Sequence, residues 1–207
     1  MRITVFGASG SIGRHVVDQA VQQGHEVTAF TREASRITSE HPLLQVATGD
    51  AADLSAVRAA VRGRDAVLVT LGAGRKGGIR EAGTRAVVTA MRETGVHRLI
   101  CQSTIGVGES RGNLTPFWKY VMFGAVLRPA FQDHVQQEEV VRSSGLDWTI
   151  VRPGAFVDSP APGAYRHGFD GQDRTTQLKI SRSDLAGFLL SQLADDAYRQ
   201  RAVSLSY

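Results

Sequence analysis

The sequence predicts one α/β domain built on a doubly wound parallel sheet. Three observations predict it. Strand-like runs alternate with helical patterns along most of the chain, several of those runs are apolar throughout, and a glycine-rich turn joins the first run to the first helix. The 207 residues suit one domain, 1–207, with room for a small lobe.

The elements follow in order. Arg2–Phe6 is a β-rich run ending at Gly7, and Ile12, Val16, Val17, Ala20 and Val21 then recur at helical spacing until Gly24. Residues 26–30 and 43–47 read as the second and third strands, the latter closed by Gly49-Asp50. A short helix over 53–61 leads to a fully apolar fourth strand, 66–71. Ile79–Thr94 is helical up to Gly95, and 97–102 is the fifth strand. A helix over 130–144 stops at Gly145, and 148–151 is the sixth strand. Two stretches break the rhythm, 106–129 and 159–174, both rich in Gly, Pro and aromatic residues. Each follows a strand end, where ligands sit in such sheets. They read as substrate-side insertions, or as connections with a small core of their own.

The turn Gly7-Ala8-Ser9-Gly10-Ser11-Ile12-Gly13 is the chief chemical signal. Gly7 suits the tight turn, Gly10 lets backbone approach a pyrophosphate, and Gly13 lets the helix lie close on the strand. The free N–H groups and positive dipole of the helix start then face the phosphates, with Ser9 and Ser11 as added donors. The spacing is G-x-x-G-x-x-G, and its place between a strand and an amphipathic helix gives it meaning. The second strand runs into Thr31-Arg32, with Arg36 one turn later. Two guanidinium groups suit a 2′-phosphate, so NADP(H) is the expected cofactor, while Glu33 keeps NAD(H) open. Asp50 either contacts adenine or caps a turn.

Other classes find little support. The net charge of +4 is carried by 21 arginines and 3 lysines scattered along the chain, so no nucleic-acid partner is expected. The apolar runs are strand-sized and Met1-Arg2 leads directly into a strand, so neither a membrane partner nor a targeting segment is expected. A single cysteine, Cys101, reads as a buried structural thiol, and the compartment expected is the reducing cytoplasm. The six histidines (15, 25, 41, 97, 134, 167) stand apart from each other, so no metal site is expected. No G-x-S-x-G elbow follows a strand, which speaks against a hydrolase triad.

The glycine turn, Thr31-Arg32…Arg36, Gly49-Asp50, Leu71-Gly72, the run 143–154 (SSGLDWTIVRPG) and the run 180–186 (ISRSDLA) together carry a resemblance. The chain resembles an atypical short-chain dehydrogenase/reductase of the NmrA-like branch, and is most similar there to the biliverdin IXβ reductase/flavin reductase type. The resemblance implies a Rossmann fold with strand order 3-2-1-4-5-6 and a small C-terminal substrate lobe. It implies that Gly7, Ser9, Gly10, Ser11, Ile12, Arg32 and Arg36 bind phosphates, and that Asp50 and Ala51 lie by adenine. Leu71, Gly72 and Ala73 would line the cofactor, and Ser103 and Pro153 would lie near the nicotinamide.

The usual catalytic pair of these reductases, Tyr with Lys four residues on, is missing. Tyr120, Tyr165 and Tyr198 are followed at that distance by Gly124, Phe169 and Ala202, and Tyr207 is the last residue. Alcohol–ketone chemistry is therefore not expected. Hydride transfer to a flavin, quinone or other planar conjugated acceptor fits better, since its proton can come from water. The alternative is a non-catalytic NAD(P)-sensing regulator. Ser103 and His134 are the candidate polar groups near the chemistry, each equally readable as structural. Ala155 stands where the biliverdin-reducing type has a larger polar residue, which speaks against a tetrapyrrole acceptor. A monomer or small homo-oligomer is expected.

Overall fold

The computed structural model describes residues 1–72, 74–158 and 162–207. Five strands set the sheet's centre and one edge: β1 (Arg2–Phe6), β2 (Glu26–Thr31), β3 (Leu44–Thr48), β4 (Ala66–Val69) and β5 (Arg98–Gln102). With β6 (Asp147–Pro153) they stand in the order 3-2-1-4-5-6, all parallel. The register brings Phe6 level with Phe30 and Val69, so the strands end together and their carboxyl ends form one edge.

Alternation along the strands sends side chains to opposite layers. Ile3, Val5, Ala66 and Leu68 meet Val16, Val17 and Ala20 of α1 (Gly13–Gln22) on one face. Phe6, Val67, Val69 and Leu99 meet Val57 of α2 (Leu54–Val61) and Val87 and Met91 of α3 (Ile79–Thr94) on the other. The second layer is completed by Val140 and Val141 of α4 (Arg128–Arg142). Cys101 is fully buried in that layer, and burial pushes its thiol pKa up, as befits a structural residue.

Caps mark several boundaries. Asp53 precedes α2 rather than opening it: its carboxylate accepts from Ser55 N at 2.9 Å. The apolar pattern runs past the fourth strand, which ends at Val69 instead of residue 71.

After β6 the chain adds elements that the sequence pattern does not announce. These are β7 (Ala155–Val157), β8 (Arg166–His167), β9 (Lys179–Ser181), α5 (Arg182–Ser191) and β10 (Arg201–Ser206). β10 extends the sheet parallel to β6, β8 adds an antiparallel edge, and β7 pairs with β9 in a separate two-stranded sheet. α5 packs against α1 and buries Leu185, Ala186, Phe188, Leu189 and Leu190, which lie around much of its circumference. A helix buried on most sides shows no single apolar stripe, which is why periodicity misses it.

The 106–129 insertion folds into a short 3-10 helix, Gly108–Asn113, and a π-helix, Phe117–Val126. In the second insertion, residues 159–161 lie outside the described residues, and none of 162–174 lines a cleft. It braces the first insertion instead: Asn113 Nδ2 donates to the carbonyls of Asp170 (2.6 Å) and Asp173 (2.9 Å).

Candidate functional site

At the carboxyl edge of the sheet the turn after β1 does what its glycines allow. Gly7 adopts φ +84° and sits so close to the neighbouring strand that a Cβ would lie 2.6 Å from the Thr70 carbonyl oxygen. Gly10 N donates to Gly7 O at 2.9 Å, closing the turn. Gly13 is buried behind it, where a Cβ would meet Gly7 O at 2.1 Å, so α1 starts against β1.

This turn forms one wall of a cleft of about 380 Å³. Of the residues expected to bind cofactor, Gly7, Ser9, Gly10, Ser11, Ile12, Arg32, Arg36, Ala51, Leu71 and Gly72 line it. Thr31 joins them and ties β2 to the turn through its hydroxyl, which donates to Ser9 Oγ at 3.0 Å. Three arginines line the cleft and, among the described residues, no carboxylate does. The glycine cradle, the helix start and this cation set fit a dinucleotide with its phosphates.

Of the other expected positions, Ser103 lines an adjoining cleft and three stand elsewhere. Gly13 lies behind the turn as a spacer. Asp50 does not line the cleft, though its neighbours Gly49 and Ala51 do, and one of its carboxylate oxygens accepts from Ala52 N at 2.8 Å as a turn cap. Pro153 is buried in β6, where its carbonyl accepts from Ile105 N at 3.0 Å, and its neighbours Gly154 and Ala155 reach the site instead. Ala73 lies outside the described residues. Glu33, the acid after β2, accepts from Ser35 Oγ at 2.9 Å and does not line the cleft.

A second cleft of about 240 Å³ adjoins the first, and Arg80, Gln102 and Phe156 line both. Its walls are largely apolar: Ile105, Leu114, Trp118, Phe123, Leu127 and Leu178. Both candidate polar residues, Ser103 and His134, line it. Four buried polar atoms on this cleft have no hydrogen-bond partner among the described residues: Arg80 Nε, Gln102 Oε1, Ser103 Oγ and His134 Nδ1. Buried polar groups are seldom left unpaired, so water or a bound molecule in this cavity would complete the four.

Arg80 and Gln102 escape a reading of the chain. Arg80 stands in the first turn of α3, where a cation opposes the helix dipole. Its position is explained by Asp133 of α4, whose carboxylate lies 3.3 Å from the guanidinium and accepts from Arg80 N (3.2 Å) and Glu81 N (2.9 Å). Asp133 thereby caps a helix whose own N-cap, Gly78, has no side chain to do so. A cation in a first helical turn was the available signal.

His134 lines the cleft as a neutral group. Burial, with the nearby Arg80 charge, lowers its pKa from 6.5 to about 3, so the imidazole is neutral at physiological pH and is no proton donor of the imidazolium kind. Since the unfolded chain takes up that proton first, stability is complete above pH 6.5 and falls as pH drops toward 3. At pH 5 the loss is about 2 kcal/mol. Urea unfolding of His134→Gln should show a flatter pH dependence over this window, and an unchanged slope would refute the assignment.

Comparison with known proteins gives the family and supports the fold. An uncharacterized chloroplastic protein of Arabidopsis thaliana is 29% identical over 217 residues, covering 98% of this chain and 74% of its own. ChuY, an anaerobilin reductase from Escherichia coli O157:H7, superposes with a TM-score of 0.82 at 26% identity, over 100% of this chain and 97% of that one. A Veillonella parvula short-chain dehydrogenase/reductase solved with NADP gives a TM-score of 0.84 at 19% identity, over 100% and 94% of the two chains. The NAD(P)H-binding family model matches residues 7–196, spanning the glycine turn, the arginine-lined cleft and α5, and the chain belongs to that NAD(P)H-binding family.

Proposed function

We propose that the chain is an NADPH-dependent reductase acting on a planar conjugated acceptor. The observation that carries this reading is the junction of the two clefts: an arginine-lined, glycine-walled one runs into an apolar one through Arg80, Gln102 and Phe156. NADPH, when bound, supplies the hydride. The turn and the start of α1 hold its phosphates, and Arg32 and Arg36 hold the 2′-phosphate. Trp118, Phe123 and Phe156 exclude water and offer flat apolar surface to the acceptor. Ser103, Gln102 and neutral His134 orient it by hydrogen bonds.

No tyrosine lines either cleft among the described residues, and His134 is neutral. An acceptor that takes its proton from water suits such a site, which favours flavins, quinones and similar conjugated molecules over simple ketones. ChuY, an anaerobilin reductase, has the same fold, which supports the reductase reading, and a Veillonella protein of that fold is solved with NADP.

The test follows nicotinamide absorbance with purified protein, NADPH or NADH, and a panel of FMN, riboflavin, quinones and linear tetrapyrroles. Turnover with NADPH preferred is expected. Tight NADPH binding without oxidation of any panel member would overturn the reading in favour of a sensing role. Arg32 and Arg36 form no ion pair among the described residues, which leaves both guanidinium groups to the ligand. Replacing both with alanine should weaken NADPH binding by about ten- to a hundredfold, the worth of one or two charged hydrogen bonds. NADH binding should change by no more than about twofold. Equal losses for the two cofactors would refute the 2′-phosphate assignment.

A further inference from the structure

The π-helix Phe117–Val126 reads FWKYVMFGAV: eight of its ten residues are apolar or aromatic, yet none of the ten is buried. One side is held to the protein, with Phe123 stacked on Phe131 at 4.8 Å between ring centroids. The other side is open. Phe117 is 58% and Tyr120 70% exposed, and Val121 and Val126 are exposed beside them. A helix that is apolar nearly all round is normally covered by something. Large exposed apolar patches mark contact sites.

Along the segment that carries this helix, between Glu109 and Asp133, the charge is one-signed. Residues 110–132 contain Arg111, Lys119 and Arg128 and no Asp or Glu. None of the three forms an ion pair among the described residues. Aromatic and aliphatic side chains interleaved with unpaired cations are the chemistry of an element lying in the headgroup boundary of an acidic bilayer. No described helix is long and apolar enough to cross a membrane, so the contact is with its surface. A search of the sequence for spans alone passes over an element of this kind. A second copy of the chain fits less well, because a two-fold contact centred on this helix sets cations against their own copies.

We propose that Phe117–Val126 docks the protein onto an anionic lipid surface, with Phe117, Tyr120 and Val121 entering the headgroup boundary and Lys119 and Arg128 meeting acidic headgroups. The same helix gives Trp118 and Phe123 to the apolar cleft, so docking brings that cleft to the bilayer and favours a lipid-dissolved acceptor. That consequence rests on the reductase reading, whereas docking itself does not.

Flotation of the intact protein with vesicles of phosphatidylcholine, alone or mixed with phosphatidylglycerol, tests it. The protein should float with the mixed vesicles, less well with neutral ones, and less well as salt is added. Phe117→Ser with Tyr120→Ser should weaken binding by about tenfold or more, since two exposed aromatic groups lose their apolar partner. Lys119→Glu with Arg128→Glu should remove the preference for acidic lipid. Val46→Ser, which alters an exposed apolar residue on β3 instead, should change nothing. Unchanged thermal midpoints and NADPH affinity would show that the variants fold. Flotation by a preparation that oxidises no NADPH would still support docking. Failure to float with either vesicle, or wild-type flotation of the double serine variant, would overturn it. So would a dimer in sedimentation that the serine substitutions dissolve, since a second copy would then be the cover.

Discussion

Gly13→Ala is expected to abolish dinucleotide binding and to destabilise the protein by at least about 3 kcal/mol. The added Cβ would sit 2.1 Å from Gly7 O and 2.8 Å from both Gly7 C and Ala8 Cα. All three are backbone atoms, so no rotamer change relieves the overlap. Either the turn opens, losing the Gly10 N to Gly7 O bond, or α1 lifts from β1 and exposes Val16, Val17 and Ala20. Both movements displace the Ser11-Ile12 wall of the cleft, where the cofactor phosphates are proposed to sit. Gly10→Ala is a milder comparison, with its Cβ 3.1 Å from Gly7 O. Gly24→Ala meets nothing within 4 Å and suffers only the left-handed backbone at φ +81°, about 1 kcal/mol. Urea unfolding and NADPH titration of the three variants should rank them Gly13, Gly10, Gly24 in severity. Native-like NADPH affinity in Gly13→Ala would sink the account of the turn.

The parts of the site that were legible in the sequence are those made by consecutive residues. The turn from Gly7 to Gly13 and the pair Arg32 and Arg36 each depend on local spacing along a strand end, so pattern alone places them. Several of strands β1 to β6 were legible for a related reason: a strand buried on both faces is apolar along its centre, as β4 is throughout and β5 is over Leu99–Cys101. What escaped depends on distant partners. Arg80 reaches the junction of the clefts because Asp133 of another helix holds it, and Gln102 of β5 and Phe156 of β7 matter only where the two clefts join. The neutrality of His134 follows from burial that a helical pattern cannot report. Asp50 offered two local readings of equal merit, and the bond to Ala52 N shows the turn cap. The short strands β7, β8 and β9, of two or three residues, are too brief to show a period at all.

Glu138→Ala is the second large effect, expected to destabilise by about 3–5 kcal/mol. Arg152 is 1% exposed and Glu138 2%. Two hydrogen bonds join them, Nε to Oε1 at 2.8 Å and Nη2 to Oε2 at 2.7 Å. Removing the carboxylate leaves a buried guanidinium with only Glu109, at 2.7 Å and largely exposed, as its ionic partner. Glu109→Ala should therefore cost less than about 1 kcal/mol, since water already screens that contact. Replacing the buried pair together, Glu138→Leu with Arg152→Met, should recover most of the loss, because two apolar groups need no partner. The pair also bears on the site. Glu138 lies one turn beyond His134 on α4, and the Arg152 guanidinium packs under Gly108, where a Cβ would come within 2.8 Å of it. Releasing α4 loosens Asp133 and with it Arg80, so reductase activity in Glu138→Ala should show a raised acceptor KM at temperatures where the variant stays folded. A stability loss below about 1 kcal/mol in Glu138→Ala, or a double replacement no better than the single one, would show that this buried pair does not brace the helix that walls the apolar cleft.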